Sequence, residues 1–333
     1  HAENVGLERI TAAYVDLAQE HPVCNPHELN LHPRSIYHDE MEISWVKGYD
    51  LIQERETFVP YDLVTLEFLT NRDGLPLFSR GSNGLASGNH ILEAISHALC
   101  EVVERDATAL WELTRFEPEE DETIVDLATI DSEPCQQLLA KIEQAGLVAH
   151  LCCQTTDIGI PAFACVITER EATQLIQRRG GAAGYGCHLS KEIALMRAIT
   201  EAAQSRLTHI SGARDDMYRH SYLVQQQSAA NLKNWNRIVA KRRATFDFAA
   251  APALETNSLD RDVALQLERL KAAGFKQAIF VDLTKPEFDT PIAKVIIPKA
   301  EYNHSGAYKR FGERAREKTL EALIEQRLVK QLL

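Results

Sequence analysis

Ser82-Asn83-Gly84-Leu85-Ala86-Ser87-Gly88-Asn89, running into the apolar-periodic residues 92–111, is the stretch on which the reading of this chain turns. A loop of small residues leads into a helix that carries Glu93, Glu101, Glu104 and Arg105. At about 100° per residue, Glu93, Glu101 and Glu104 fall within an arc of roughly 80°, with His97 inside it. Ile95, Leu99, Val102 and Val103 take the other side. Like charges on one stripe repel in an isolated helix. A divalent cation is a reason to gather them, because hard carboxylate oxygens suit Mg²⁺ and Mg²⁺ suits phosphate. Plainer readings stay open beside this one. With a helix starting near His90, Glu93 serves equally well as an N-terminal cap. Glu101 and Glu104 serve equally well on a solvated face, and His97 reads first as a packed or surface side chain.

The rest of the composition narrows the class. With 333 residues, 45% hydrophobic and 25% charged, the chain has ample core for a globular protein. A net charge of −12 excludes a general binder of nucleic-acid backbone. The seven cysteines, Cys24, Cys100, Cys135, Cys152, Cys153, Cys165 and Cys187, are irregularly spaced and form no CxxC pair. That excludes the usual zinc and redox motifs and reads as reduced core thiols in a cytoplasmic protein. No run is long enough to span a membrane and no signal peptide is expected, so no membrane partner is implied.

Outward from the opening stretch, residues 1–20 read as helix, with Leu7, Ile10, Tyr14 and Leu17 at helical spacing. Residues 22–80 read as irregular with short strands at 44–51 and 62–68. The loop and long helix occupy 82–114, and the acidic residues 115–130 read as exposed. QLLAKIEQAGL (137–147) then resembles QLERLKAAGF (266–275). Each is an amphipathic helix stopped by a Gly in the left-handed conformation. Strand pairs follow at 148–154 and 161–167, and again at 277–283 and 291–297. The pattern predicts an α/β (mixed α+β) fold with two pseudo-equivalent helix-plus-strand-pair halves around a shared core. Helix–Gly–strand is also a common unit without any duplication.

Between the copies lies Gly180-Gly181-Ala182-Ala183-Gly184-Tyr185-Gly186-Cys187-His188, then a predicted helix over 190–210 with Ser190 as its N-cap. Arg197, Glu201 and Gln204 share one face of it within roughly 60°. They form either a solvated face or part of a nucleotide site. Asp215 and Asp216 read as a turn, 218–237 as a polar linker and 315–333 as an amphipathic tail helix. Neither GxxxxGK[ST] nor GxGxxG occurs in the context a P-loop or dinucleotide fold needs. The 82–89 loop can still present N–H groups and Asn89 at a helix N-terminus, where the dipole favours an anion. No nucleophile–base pair stands at a recognisable spacing. Catalysis then has to come from positioning and charge neutralisation, as in phosphoryl transfer.

SNGLASGN (82–89), Glu93-Ala94, ALCEVVERDA (98–107), GYGCHLSKEIALMRAITEAAQSR (184–206) and SGARDD (211–216) resemble the YcaO family over nearly the whole chain. The resemblance implies a single YcaO-type ATP-binding domain over 1–333. Its subregions are an N-terminal segment 1–80, halves at 81–170 and 180–300, and a tail at 301–333. It implies ATP and Mg²⁺ as cofactors and activation of a peptide backbone amide by phosphorylation of its oxygen. Carried over, Glu101 and Glu104 are Mg²⁺ ligands. Asn89 and Glu93 contact nucleotide or metal, Arg105 contacts phosphate, and Ser82 with the loop glycines shapes the phosphate approach. Arg197, Glu201, Gln204 and Arg206 are nucleotide-side groups, with Arg206 on the opposite face of its helix. The family's earlier Ser-x3-Glu-x2-Glu-Arg helix, with further metal-binding glutamates, is expected before residue 1. Without it half the carboxylate cage is gone, which motivates a second reading as a non-catalytic peptide- or partner-binding module. Azoline-forming members often end in a Pro-rich tail, whereas this chain ends RLVKQLL (327–333). The expected product is therefore a thioamide, with a TfuA-like sulfur-delivery partner, and azoline formation is the alternative. A peptide or protein substrate, no nucleic acid, and compatibility with a homodimer complete the expectation.

Overall fold

The computed structural model describes residues 6–66, 77–114, 123–169, 181–212, 244–302 and 311–332, without the side chains of 325–332. The chain divides into two compact units, His1–Thr114 with Thr256–Leu333, and Arg115–Glu255.

The first unit is built on a six-stranded antiparallel sheet in the order β1-β2-β8-β9-β4, with β3 added to β2. The strands are β1 (Arg9–Ala13), β2 (Glu42–Asp50), β3 (Arg55–Pro60), β4 (Leu85–Ser87), β8 (Ile279–Asp282) and β9 (Ile292–Ile296). Trp45, Val46, Val59, Ile279 and Val281 point into one apolar cluster. In β2, buried Ile43 and Trp45 alternate with the more exposed Glu42 and Ser44, the period of a half-buried sheet, and Val46 is buried as well. The carboxylate of Asp50 closes the end of β2. It is fully buried and accepts N–H groups from Ile52, Gln53 and Ala278 and the side-chain amide of Gln277. The helices of this unit are α1 (Tyr14–Glu20), α2 (Ile91–Thr114), α5 (Leu259–Ala272) and α6 (Glu313–Leu332). Helix α2 packs on β4 and β9 and meets α5 and α6.

The second unit holds the antiparallel sheet β5 (Leu147–Cys153), β6 (Ala162–Glu169) and β7 (Ala182–Cys187) with α3 (Glu133–Gln144) and α4 (Lys191–Ser211). Its own cluster includes Leu151, Phe163, Ile167, Leu195, Ile199 and Phe248. Gly184 and Gly186 let β7 lie flat against α4. A Cβ on Gly184 would stand 2.1 Å from the Ala202 nitrogen, and one on Gly186 2.1 Å from the Ala194 oxygen.

The repeat takes the predicted form twice. Helices α3 and α5 have Ala145 and Ala273 as C-caps, and the next residues, Gly146 and Gly274, have φ of 72° and 92°. Antiparallel hairpins β5–β6 and β8–β9 follow. The copies belong to different sheets and different apolar clusters.

Several local expectations are corrected. Residues 9–13 form a strand rather than the start of a helix. Pairing with β2 and a Trp45 indole N–H donated to the Ala12 carbonyl at 3.0 Å outweigh the helical spacing. Within 62–68 no strand forms over the described residues 62–66, where a 3-10 turn spans Tyr61–Leu63. The 82–89 loop contains the strand β4. In 123–130, Val125 and Ile130 are buried rather than exposed, because Val125 bridges to Phe246. Residues 1–5, 67–68 and 115–122, the Asp215–Asp216 turn and the linker 218–237 lie outside the described residues. All seven cysteines are buried and free of disulfides. Among the described residues no helix is long and apolar enough to cross a membrane.

Candidate functional site

The start of α2 shows how the opening loop is spent. Gly84 has a φ of 74°, and a Cβ there would stand 2.1 Å from the Val295 oxygen. The loop backbone therefore lies directly on β9, and the Gly84 carbonyl accepts the Val295 N–H at 2.7 Å. Exposed Ser82 gives its carbonyl to the Leu85 N–H at 2.8 Å. At the helix N-terminus, His90 Nδ1 accepts the Leu92 N–H. Glu93 Oε2 accepts the Asn89 backbone N–H at 2.7 Å and the Asn89 side-chain amide at 3.1 Å. These two bonds, the backbone one first, hold the Glu93 carboxyl below its ordinary range. The cap geometry thus engages both Asn89 and Glu93.

Two turns further on, the stripe becomes a charged cluster. Arg105 Nη2 lies 3.9 Å from Glu101 and 3.6 Å from Glu104, so one guanidinium stands between two carboxylates. Glu104 is 9% exposed, while the Glu101 side chain keeps 25% of its surface. Under this cluster lies Lys294 of β9, 2% exposed, donating to the Gly81 carbonyl at 2.8 Å. Burial pulls its ammonium down to about 8, against the opposing pull of Glu101. Behind the helix, fully buried Asp106 accepts from Arg314 Nε at 3.1 Å on both oxygens and from the Glu301 N–H at 2.8 Å. Burial outweighs Arg314 and pushes the Asp106 carboxyl up to about 6. Glu301 in turn accepts the N–H groups of Gly312 and Ala315 at the start of α6.

In the second unit, Ser190 caps α4 as predicted, accepting the Ile193 N–H. The polar face of α4 is used locally. Glu201 accepts the Tyr185 N–H of β7 at 3.0 Å, and Arg197 donates to the Cys187 carbonyl at 3.4 Å. Strand β7 ends its sheet, so these side chains occupy an otherwise open edge. Arg206, on the other face, pairs with Glu169 of β6 at 3.1 Å. Gln204 is exposed.

The structure therefore gathers Glu101, Glu104 and Arg105, places Asn89 and Glu93 at the helix cap, and sets Arg197, Glu201, Gln204 and Arg206 on α4 in the other unit. Two hard carboxylates beside a guanidinium suit a Mg²⁺ that keeps water and takes phosphate oxygens. Among the described residues no group of three or more His, Cys, Asp or Glu converges on a metal position. Lys294, Asp106, Glu301 and Arg314 were not anticipated. Lys294 had a signal, a lone cation inside the apolar run 292–297. The Asp106–Arg314 pair had none, since its partners stand 208 residues apart.

Comparison with known proteins shows the family. The sequence model of the YcaO cyclodehydratase family, described as ATP- and Mg²⁺-binding, matches residues 1–301. The chain belongs to the YcaO family. An uncharacterised protein in the tfuA 3′ region of Rhizobium leguminosarum bv. trifolii is 35% identical over 321 residues, 94% of this chain and 71% of that protein. A solved heterocyclase in complex with substrate and cofactor superposes with a TM-score of 0.75 at 22% identity, over 94% of this chain and 43% of that one. The YcaO protein of Methanopyrus kandleri bound with AMPPCP and Mg²⁺ superposes with a TM-score of 0.64 at 22% identity, over 87% of this chain and 74% of its own. The chain spans less than half the length of the heterocyclase. At these identities the two structures speak for the fold.

Proposed function

We propose that this chain activates a backbone amide of a peptide substrate by ATP- and Mg²⁺-dependent phosphorylation of the amide oxygen, and that the product is a thioamide. The observation that carries the reading is the placement of Glu101 and Glu104 about Arg105 on α2. In this reading Mg²⁺–ATP supplies the phosphoryl group and the charge neutralisation its transfer needs. Glu101 and Glu104 would hold the metal through hard oxygens, and Arg105 beside them would face the phosphates. Ser82, Asn89 and Glu93 shape and cap the loop and helix start, where N–H groups favour an anion.

The chemistry balances with a sulfur donor. The amide oxygen attacks the terminal phosphorus and ADP leaves. A sulfur nucleophile adds to the former carbonyl carbon, and the C–O bond breaks to release phosphate and leave C=S. The thioamide reading and its TfuA-like delivery partner are supported by the relative encoded in a tfuA region. The test is ATP-dependent phosphate release with a candidate peptide, followed by mass spectrometry. A mass gain equal to oxygen-to-sulfur exchange supports the thioamide, and loss of one water identifies an azoline instead. Replacing Glu101 by Gln is expected to abolish release. Unchanged release would remove the metal role assigned here. Nucleotide binding without turnover in any peptide's presence would favour a binding module.

A further inference from the structure

Lys294 is the one charged side chain in the buried part of β9, and its surroundings are unusual. A buried ammonium is costly unless its hydrogens and charge are matched. Here one N–H goes to the Gly81 carbonyl, and the charge that reaches it is that of Glu101. Lys294 lines a cavity of about 40 Å³ together with Gly81, Asn83, Val102 and Tyr302. The Asn83 side-chain oxygen is buried without a partner among the described residues. The cavity exceeds the roughly 10–15 Å³ a water needs, so there is room for one among these polar groups. Lys294 also pairs in register with Leu85, and its neighbour Val295 bonds to Gly84. The loop is thus fixed at Gly81 and Gly84 by consecutive residues of one strand.

We propose that Lys294 is a positioning residue, which sets the 81–84 loop through the Gly81 carbonyl and supplies a positive charge under α2. The proposal rests on the amide-activation reading for its kinetic consequence, and on the loop geometry alone for its structural one. A neutral side chain of similar length fills the space but loses both effects. Glutamine keeps an N–H for Gly81 and loses only the charge. Arginine keeps the charge.

The test compares Lys294→Met, Lys294→Gln and Lys294→Arg by thermal unfolding, amide hydrogen exchange over residues 81–85, and KM and kcat of peptide-dependent phosphate release. A lost charge-assisted interaction is expected to raise the KM for Mg²⁺–ATP by about tenfold or more in the Met and Gln variants. Their kcat falls much less. Arg restores most of the KM. Exchange over 81–85 rises in the Met variant and less in the Gln variant. Normal KM in a folded Met or Gln variant, or an Arg variant no better than Gln, overturns the proposal while leaving amide activation standing. If the parent protein releases no phosphate, amide activation falls, and exchange still decides. Unchanged protection of 81–85 in the Met variant, or in the Gln variant where Met does not fold, overturns the loop role.

Discussion

Helices α2 and α4 carry similar-looking polar stripes, yet the structure spends them differently. On α4, Glu201 and Arg197 are engaged by the backbone of β7, and Arg206 by Glu169. On α2, Glu101 and Glu104 meet the Arg105 guanidinium at 3.9 and 3.6 Å, beyond the length of a good charge-assisted bond. Backbone partners are fixed by the fold, whereas an ion pair between side chains of one helix is a partner that a metal ion can replace. A stripe of charge therefore points to ligand chemistry when its partners are exchangeable side chains, and to architecture when they are backbone groups.

The sharpest way to break that contrast is at the glycines that bring β7 onto α4. Gly184→Ala places a Cβ 2.1 Å from the Ala202 nitrogen and 2.4 Å from the Ala198 oxygen. Both atoms are backbone, so the loss should reach about 3 kcal/mol or more. Urea unfolding that shows an unaffected second unit would mean α4 and β7 are less tightly apposed than described. Next in size is Asp106→Ala, which leaves Arg314 buried without its carboxylate and should cost about 3–5 kcal/mol. Chemical denaturation measures it, and a cost near zero would show the pair to be dispensable.

The same carboxyl gives a pH test. Its folded value of about 6 lies above the ordinary 3.8, so the native chain holds a proton that the unfolded chain releases. That contribution is full below about 3.8 and is lost as pH rises through about 6, worth at most about 3 kcal/mol at about 1.4 kcal/mol per factor of ten. Asp106→Asn should flatten the fall in stability over that window, on a lower baseline. An unaltered slope would assign the dependence to other groups.

What could be read in the sequence was whatever is local. Helical periodicity located α2, α3, α4 and α5, and Gly146 and Gly274 marked helix ends because only a left-handed residue fits there. The polar stripe on α2 was visible for the same reason. Residues 9–13 were misread because their strand is imposed by β2, some thirty positions away. The glycines around Tyr185 read only as a Gly-rich stretch, and their role of admitting a helix is one that only packing shows. Lys294 and Arg314 act on α2 from far along the chain, so no spacing within α2 could announce them.

The smallest expected effect on stability is the most informative about function. The Glu101–Arg105 contact is long and partly solvated, so Glu101→Gln should change unfolding free energy by less than about 1 kcal/mol. Its removal also relieves repulsion against Glu104 one turn away, which offsets part of that loss. Glu93→Gln should lower thermal stability slightly as well, because a carboxylate accepts the Asn89 donors better than an amide does. The two variants part company in calorimetry with Mg²⁺–ATP. Glu101→Gln should lose binding with its fold intact, while Glu93→Gln should bind nearly as the parent protein does if its carboxylate serves the cap. Equal losses in both would return Glu93 to the metal site. Retained binding in Glu101→Gln would place its stripe beside that of α4, as architecture.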